Sequence, residues 1–275
     1  MQLGVFIAGL GAIFVMFVFS GGTGVSQQCV SAIAFSPDGS LLAAGLYNSR
    51  DAQVSWKHYA ADVCRTVEVF PLDAAGPGVV IAQEMRIGNQ GPLHRTTPAI
   101  KFLDGGRQLA SMLNEGNLDV WEIQTRHKVR TESAESEQVT GFDYSPDEAV
   151  VALTGGGGLV VRRLSPYANL YSTADDVYSA FWQAPDVAFS PDSKLFTVAG
   201  FSGKVSVWNT ETWKRLRTLT AQQDECFISA AFSADSRLLA VASATSIRVQ
   251  NMETGELRVL PASLITDGAS RMRQV

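Results

Sequence analysis

Histidine and cysteine are scarce. The chain holds three of each in 275 residues. His58, His94 and His127 are too few and too scattered to form a metal centre, and nothing pairs them with Cys at zinc spacing. Cys29, Cys64 and Cys226 lie far apart. An odd count leaves no complete disulfide set, and no C-x-x-C occurs. They read as partly buried thiols, with one bridge open to them if the chain is exported. Charged residues make up only 18%, and the net charge is −5. No Lys/Arg run exceeds the doublets Arg162-Arg163 and Lys214-Arg215. This excludes broad, non-specific binding to nucleic acid. Gly-x-Ser-x-Gly, His-Glu-x-x-His and calcium-loop patterns are all missing. No catalytic residue, metal ligand or cofactor site is expected.

Apolar residues supply 46% of the chain, enough for one large all-β domain or two small ones. Leu3 to Phe19 carries no charge and no proline. Its 17 residues are at the short end of what spans a bilayer. The small residues Ser20–Gly24 follow, as at a signal cleavage region, but the basic segment that usually precedes such a stretch is missing. Residues 1–24 are therefore read as an apolar leader, either a signal peptide or a membrane anchor. A buried strand of the main fold and an imperfect gene start are the other readings. Membrane contact is expected only through residues 3–19, and anchoring or export is favoured over a cytoplasmic location.

What the chain has in abundance is a repeat. Ala34-Phe35-Ser36-Pro37-Asp38-Gly39 returns as Ala188-Phe189-Ser190-Pro191-Asp192-Ser193 and as Ala231-Phe232-Ser233-Ala234-Asp235-Ser236. Worn copies begin at Lys101-Phe102 and Asp143-Tyr144, the latter running on to Asp147. The aromatic anchors are Phe35, Phe102, Tyr144, Phe189 and Phe232, and the last three intervals are 42, 45 and 43 residues. Short strands recurring at that period predict propeller blades. Each copy reads as four strands, a to d. Strand a alternates up to the anchor. Ser-Pro-Asp-Gly is turn chemistry: proline presets φ, aspartate bonds nearby amides, and glycine accepts a left-handed backbone. Strand c is clearest in Val205-Ser206-Val207-Trp208. It is matched by Leu118–Trp121, Leu159–Arg162, Ile247–Gln250 and Val67–Phe70. Turns such as Glu253-Thr254-Gly255 then lead to strand d.

With these motifs in this order, the chain resembles the WD-repeat β-propeller family over residues 29–260. The resemblance implies an all-β fold of about five recognisable four-stranded blades, forming a small ring or an incomplete one. The propeller is placed at residues 25–262, with a polar tail at 263–275. Only Trp121 and Trp208 fill the family's tryptophan position, and Glu122 and Asn209 replace the aspartate after it. The Gly-His pair before strand a is absent. The family's Trp, Ser/Thr, Asp and His tetrad is thus incomplete in every blade, with Glu115 and Ser202 near the tetrad aspartate's place. Blade stability is expected to rest on packing between neighbouring sheets. From Phe35 to Phe102 the interval is 67 residues. It reads as one blade with an insertion at Tyr47–Cys64 and a long connection around Asn89–Arg95.

Asp38, Asp147, Asp192 and Asp235 are read as turn stabilisers, since they do not converge as acid/base pairs must. Gly155–Gly158 precedes a strand and reads as a hairpin turn rather than a phosphate cradle. The resemblance implies a non-catalytic scaffold for other proteins or peptides. Trp56, His58 and Tyr59 in the insertion are the first candidates for contact. Tyr178 and Trp182, ahead of the fourth anchor, are the second, because aromatics dominate interface hot spots. Two alternatives stay open. One is a propeller enzyme or small-ligand sensor with a site in a central channel. The other is a partial propeller that oligomerises as an assembly subunit through an open sheet edge.

Overall fold

The computed structural model describes residues 3–8, 12–17, 27–49, 62–73, 77–87, 100–112, 117–133, 139–155, 158–173, 186–200, 203–220, 227–243 and 246–261. Contacts divide the chain into two units, Met1–Val139 and Thr140–Val275. The described residues are strands joined by turns, with a single 3-10 turn at Asp104–Gly106.

The first unit holds two sheets. Strands β1 (Leu3–Ala8), β2 (Ala12–Phe17), β3 (Gln27–Phe35), β4 (Leu41–Ser49), β5 (Asp62–Pro71) and β6 (Val79–Ile87) form sheet 1 in sequence order. β3 to β6 are the four strands a to d of the repeat. β1 and β2 pair from Leu3↔Phe17 to Ala8↔Ala12, and β2 meets β3 at Ile13↔Ile33. Among the described residues, no helix is long and apolar enough to cross a membrane. Sheet 2 is β7 (Ile100–Leu103), β8 (Gln108–Ser111), β9 (Asn117–Glu122) and β10 (Lys128–Ser133).

The second unit holds three sheets, each of four consecutive strands. Sheet 3 is β11 (Val139–Tyr144), β12 (Val150–Gly155), β13 (Gly158–Leu164) and β14 (Tyr167–Thr173). Sheet 4 is β15 (Asp186–Phe189), β16 (Leu195–Gly200), β17 (Lys204–Asn209) and β18 (Arg215–Thr220). Sheet 5 is β19 (Phe227–Phe232), β20 (Leu238–Ser243), β21 (Ser246–Asn251) and β22 (Leu257–Pro261). The described pairings are antiparallel, as short turns between successive strands require. Five sheets of the propeller-blade kind are what the repeat predicts; four have four strands, and in sheet 1 the four strands of the repeat are extended by β1 and β2.

The core lies between sheets. In the first unit Ala43, Val67 and Val69 of sheet 1 pack on Ile100, Phe102 and Leu109 of sheet 2. In the second, Ala152, Leu159 and Val161 of sheet 3 meet Val187, Phe189 and Phe196 of sheet 4. Val205, Val207 and Leu219 of sheet 4 meet Phe227, Phe232 and Leu239 of sheet 5. Strand alternation produces this arrangement, because residues two apart share a face and each sheet offers an apolar face to its neighbour.

The family's tryptophan position is one structural place filled by four kinds of residue in five sheets. Phe70, Trp121, Arg162, Trp208 and Gln250 sit opposite Leu42, Leu109, Val151, Phe196 and Leu239 of strand b. Arg162 is fully buried there. Its Nε donates to Asn169 Oδ1 at 2.9 Å, and its guanidinium lies 5.8 Å from the Tyr167 ring. The arginine thus replaces an indole by using its planar head for both a hydrogen bond and ring contact.

The insertion in sheet 1 is narrower than Tyr47–Cys64. β4 and β5 continue their hairpin through Tyr47↔Arg65, Asn48↔Cys64 and Ser49↔Val63. Extending the ladder satisfies backbone groups that an open loop would leave to water. The connection is left with residues 50–61. Gly155 pairs with Gly158, so the glycine run is a hairpin turn.

Candidate interaction surface

The two ends of each sheet differ. At one end the a–b and c–d turns are tied together by main-chain bonds. The amides of Leu72, Ile123, Leu164, Thr210 and Met252, at or just after the end of strand c, donate to the carbonyls of Ser40, Arg107, Ala149, Lys194 and Arg237. These bonds run from 2.7 to 3.0 Å.

Four of the five a–b turns carry the same polar clamp. The serine hydroxyl donates to aspartate Oδ1 in Ser36–Asp38, Ser145–Asp147, Ser190–Asp192 and Ser233–Asp235, at 2.5 to 2.6 Å. The same carboxylate oxygen accepts the amide of Ser40, Ala149, Lys194 or Arg237. The serine oxygen in turn accepts the first amide of strand b: Leu41, Val150, Leu195 or Leu238, at 2.9 to 3.0 Å. One Ser-x-Asp pair thereby fixes both ends of the turn. The residue after the aspartate is left-handed, with φ of 72° at Gly39, 56° at Glu148 and 61° at both Ser193 and Ser236. Sheet 2 lacks the serine. Its turn is the 3-10 segment, closed by Arg107 Nη2 donating to Asp104 Oδ1 at 2.6 Å.

Asn209 and Asn251 do comparable work in the c–d turns. Their Oδ1 atoms accept the amides two and three residues on, at 2.8 to 3.1 Å. An asparagine at the family's aspartate position therefore keeps the turn while giving up the charge.

The clamp hydrogen bonds favour the ionised carboxylate. At Asp38 the Ser36 hydroxyl, then the Ser40 amide and hydroxyl, lower the pKa to about 2. At Asp192 burial opposes ionisation, but the bonds from Ser190, Lys194 and Ser236 outweigh it and the pKa falls. At Asp235 the Ser233 hydroxyl and the Arg237 amide lower it. A depressed folded-state pKa contributes stability above the unfolded carboxylate value, and loses it as pH falls through the folded one. The Asp38 clamp is thus complete above about pH 4, where an unfolded aspartate is ionised, and fades towards pH 2. Replacing Asp38 with asparagine is expected to flatten that part of the acid-unfolding profile. An unchanged profile between pH 4 and 2 refutes the assignment.

Neighbouring turns touch within each unit. A Cβ on Gly106, where φ is 98°, would lie 3.4 Å from Ser36 Cβ. In the second unit the Asp192 amide donates to Ser236 Oγ at 3.1 Å. Within each unit this end of the sheets therefore carries short, hydrogen-bonded turns.

The b–c and d–a connections leave from the opposite end of each sheet. Among them are residues 50–61, 88–99 and 174–185. Trp56, His58 and Tyr59 fall in the first of these, and Tyr178 and Trp182 in the third. All five lie outside the described residues, as do Glu115 and Ser202. Trp213 is described and is a packing residue: it sits in a c–d turn at φ 55°, its ring 5.8 Å from Phe196. Among the described residues no group of three or more His, Cys, Asp and Glu side chains could hold a metal ion.

The repeated turn clamp, the strand-c position and the sheet-on-sheet core resemble those of WD-repeat blades. The WD domain, G-beta repeat family model matches residues 16–55 and 184–209. Among curated proteins, the chain is similar to meiotic fizzy-related protein 1 of Schizosaccharomyces pombe. Identity is 28% over 116 residues, which is 42% of this chain and 27% of that protein's length.

Proposed function

We propose that the chain is a non-catalytic scaffold that holds other proteins or peptides on the b–c and d–a connections, led by Trp56, His58 and Tyr59. The observation that carries this is the contrast between sheet ends. One end spends its polar groups on its own turns, whereas the long connections with Trp56, Tyr59, Tyr178 and Trp182 belong to the other. Large aromatics on such segments supply contact area at low entropic cost. The similarity to a WD-repeat relative fits a protein-binding role, as does the lack of a catalytic motif.

In this reading the leader, residues 1–24, is an anchor or an export address. The full-length chain is then expected in the membrane or secreted fraction, and deleting residues 1–24 moves it out. An unchanged distribution refutes that part.

The binding residues are tested by capture. Cross-linking and mass spectrometry on the full-length chain give its partner set. The double variant Trp56→Ala, Tyr59→Ala is expected to lose at least about tenfold in partner recovery, as removal of two hot-spot aromatics does, at an unchanged unfolding midpoint. Undiminished recovery of every partner sinks the site assignment.

A further inference from the structure

Strand d is an outer edge in all five sheets. In sheets 1 to 4 the ladder between strands c and d shifts register once. The shifts fall between Val67 and Glu68, Lys128 and Arg130, Val161 and Arg162, and Val207 and Trp208. Such a bulge kinks an edge and blunts it against further pairing. β22 has none: it pairs with β21 in one register from Ser246↔Pro261 to Gln250↔Leu257. The Asn251 amide donates to the Glu256 carbonyl at 2.8 Å. Antiparallel alternation then turns the N–H groups of Leu257 and Val259 away from β21, and Pro261, which has no N–H, ends that outward row. β22 is thus a regular edge with main-chain groups facing outward.

The side chains beside that edge are set within the second unit. Leu257 and Val259 lie opposite Gln250 and Arg248. Arg248 Nη1 donates to the Thr220 carbonyl of β18 at 2.6 Å, so this face of sheet 5 is turned to sheet 4. From sheet 4, Arg217 and Leu219 face it, opposite Val207 and Val205. A slot therefore runs between β18 and β22. Arg248, Gln250 and Leu219 are buried in its floor, whereas Leu257 and Val259 at its rim are 45% and 54% exposed. The Arg217 guanidinium lies against the turn that follows β21, its Nη1 3.1 Å from where a Gly255 Cβ would stand. Both acids of that turn are engaged by other arginines. Glu253 Oε1 accepts from Arg237 Nε at 3.2 Å, and Glu256 Oε1 from Arg258 Nε at 2.9 Å. Arg217 is half-buried and has no hydrogen bond or ion pair among the described residues.

We propose that this slot binds an extended, acidic peptide segment of a partner protein, which adds to β22 as a further strand and sets a carboxylate on Arg217. Main-chain pairing needs a regular edge with outward N–H groups, and β22 is the outer strand that offers one without a bulge. Charge complementarity selects the acid. The side chains that face the slot include two arginines and no carboxylate, and a half-buried guanidinium without a counter-ion gains more from an anion than one in open water does. Leu257 and Val259 select an aliphatic neighbour. Because side chains alternate along a strand, the acid and the aliphatic stand two residues apart in the segment. The site goes beyond the scaffold reading and does not rest on it, since none of its residues lies in the connections assigned to partners.

The probe is a fluorescein-labelled peptide, Thr-Val-Thr-Glu-Thr-Val-Thr, with one acid and an aliphatic two residues away on either side. It is titrated with the full-length chain in detergent solution and followed by fluorescence anisotropy. Saturable binding is expected. The same peptide with glutamine for glutamate is expected to bind about tenfold more weakly, the size of one lost charge-assisted bond. Arg217→Gln is expected to weaken the glutamate peptide about tenfold and to leave the glutamine peptide unchanged. Val259→Pro removes an outward N–H and is expected to weaken both. Arg217→Gln keeps the wild-type unfolding midpoint, because it breaks no bond of the fold. If Val259→Pro loses its transition, Leu257→Pro, at the other outward N–H, replaces it. The proposal is overturned if the wild-type chain binds neither peptide or both equally, if Arg217→Gln weakens both alike, or if the proline variant binds as the wild type does. A dimer in light scattering that Val259→Pro dissociates, with no peptide bound, assigns the edge to a second copy and also overturns it. The double variant Trp56→Ala, Tyr59→Ala leaves peptide affinity unchanged, which separates this result from the scaffold test.

Discussion

Replacing Trp208 with alanine is expected to cost about 3–5 kcal/mol of unfolding free energy, the range for deleting a buried large aromatic. The indole is 1% exposed and stacks on Phe196 with centroids 4.9 Å apart and planes 12° from parallel. Phe196 in turn lies 5.7 Å from Phe189 and 5.8 Å from Trp213. Removing the indole therefore opens a cavity lined by rings that the strand ladders hold in place. Trp121 is the internal control. It occupies the same strand position but is half-buried, and its Nε1 has no hydrogen-bond partner among the described residues. Trp121→Ala is expected to lose less than half as much. Urea unfolding followed by far-UV circular dichroism measures both, and equal losses would show that strand position, not packing, sets the cost.

The second large effect lies at a hydrogen bond between sheets. Asp143 sits on β11, just before the Tyr144 anchor. Its Oδ2 accepts the Phe189 amide of β15 at 2.8 Å, while Oδ1 accepts the Tyr144 amide at 2.9 Å. Asp143→Ala leaves the amide of a buried anchor without this acceptor, a loss of about 2 kcal/mol. Asp143→Asn keeps one acceptor oxygen and is expected to lose about half of that. Hydrogen exchange gives a site-specific reading: the Phe189 amide should exchange faster in the alanine variant, with little change at strands of sheet 5. Unchanged protection of that amide would remove the bond from the account of stability.

The repeat is legible in the sequence because Phe-Ser-Pro-Asp performs two duties in four residues. The aromatic ring is the core anchor, and Ser-x-Asp closes the turn after it. Strand c is legible for a similar reason: its alternation puts a bulky residue opposite strand b in every copy, even where that residue is Arg162 or Gln250. Other features are hidden because they depend on three-dimensional surroundings. Among the four clamped turns, glycine marks the left-handed residue only at Gly39. At Glu148, Ser193 and Ser236 the clamp itself imposes the left-handed backbone on residues that ordinarily avoid it. The serine oxygen's second bond, to the amide at the start of strand b, has no signature beyond serine itself. Tyr47 and Cys64 join the ladder through pairing that local composition does not announce. The partner-contact aromatics fall on long connections, where periodicity carries no information.

The strand order has a consequence for how the molecule forms. Each of sheets 2 to 5 draws its strands from one continuous stretch of chain, with no strand exchanged between them. Its pairings are therefore local, and loop-closure entropy is small at every step. Any one of these blades can serve as the nucleus, with neighbours adding by stacking. During synthesis, an early blade can complete its ladder before later ones leave the ribosome. A lesion in one blade then slows the addition of its neighbours and leaves the remaining ladders to form at their own rates.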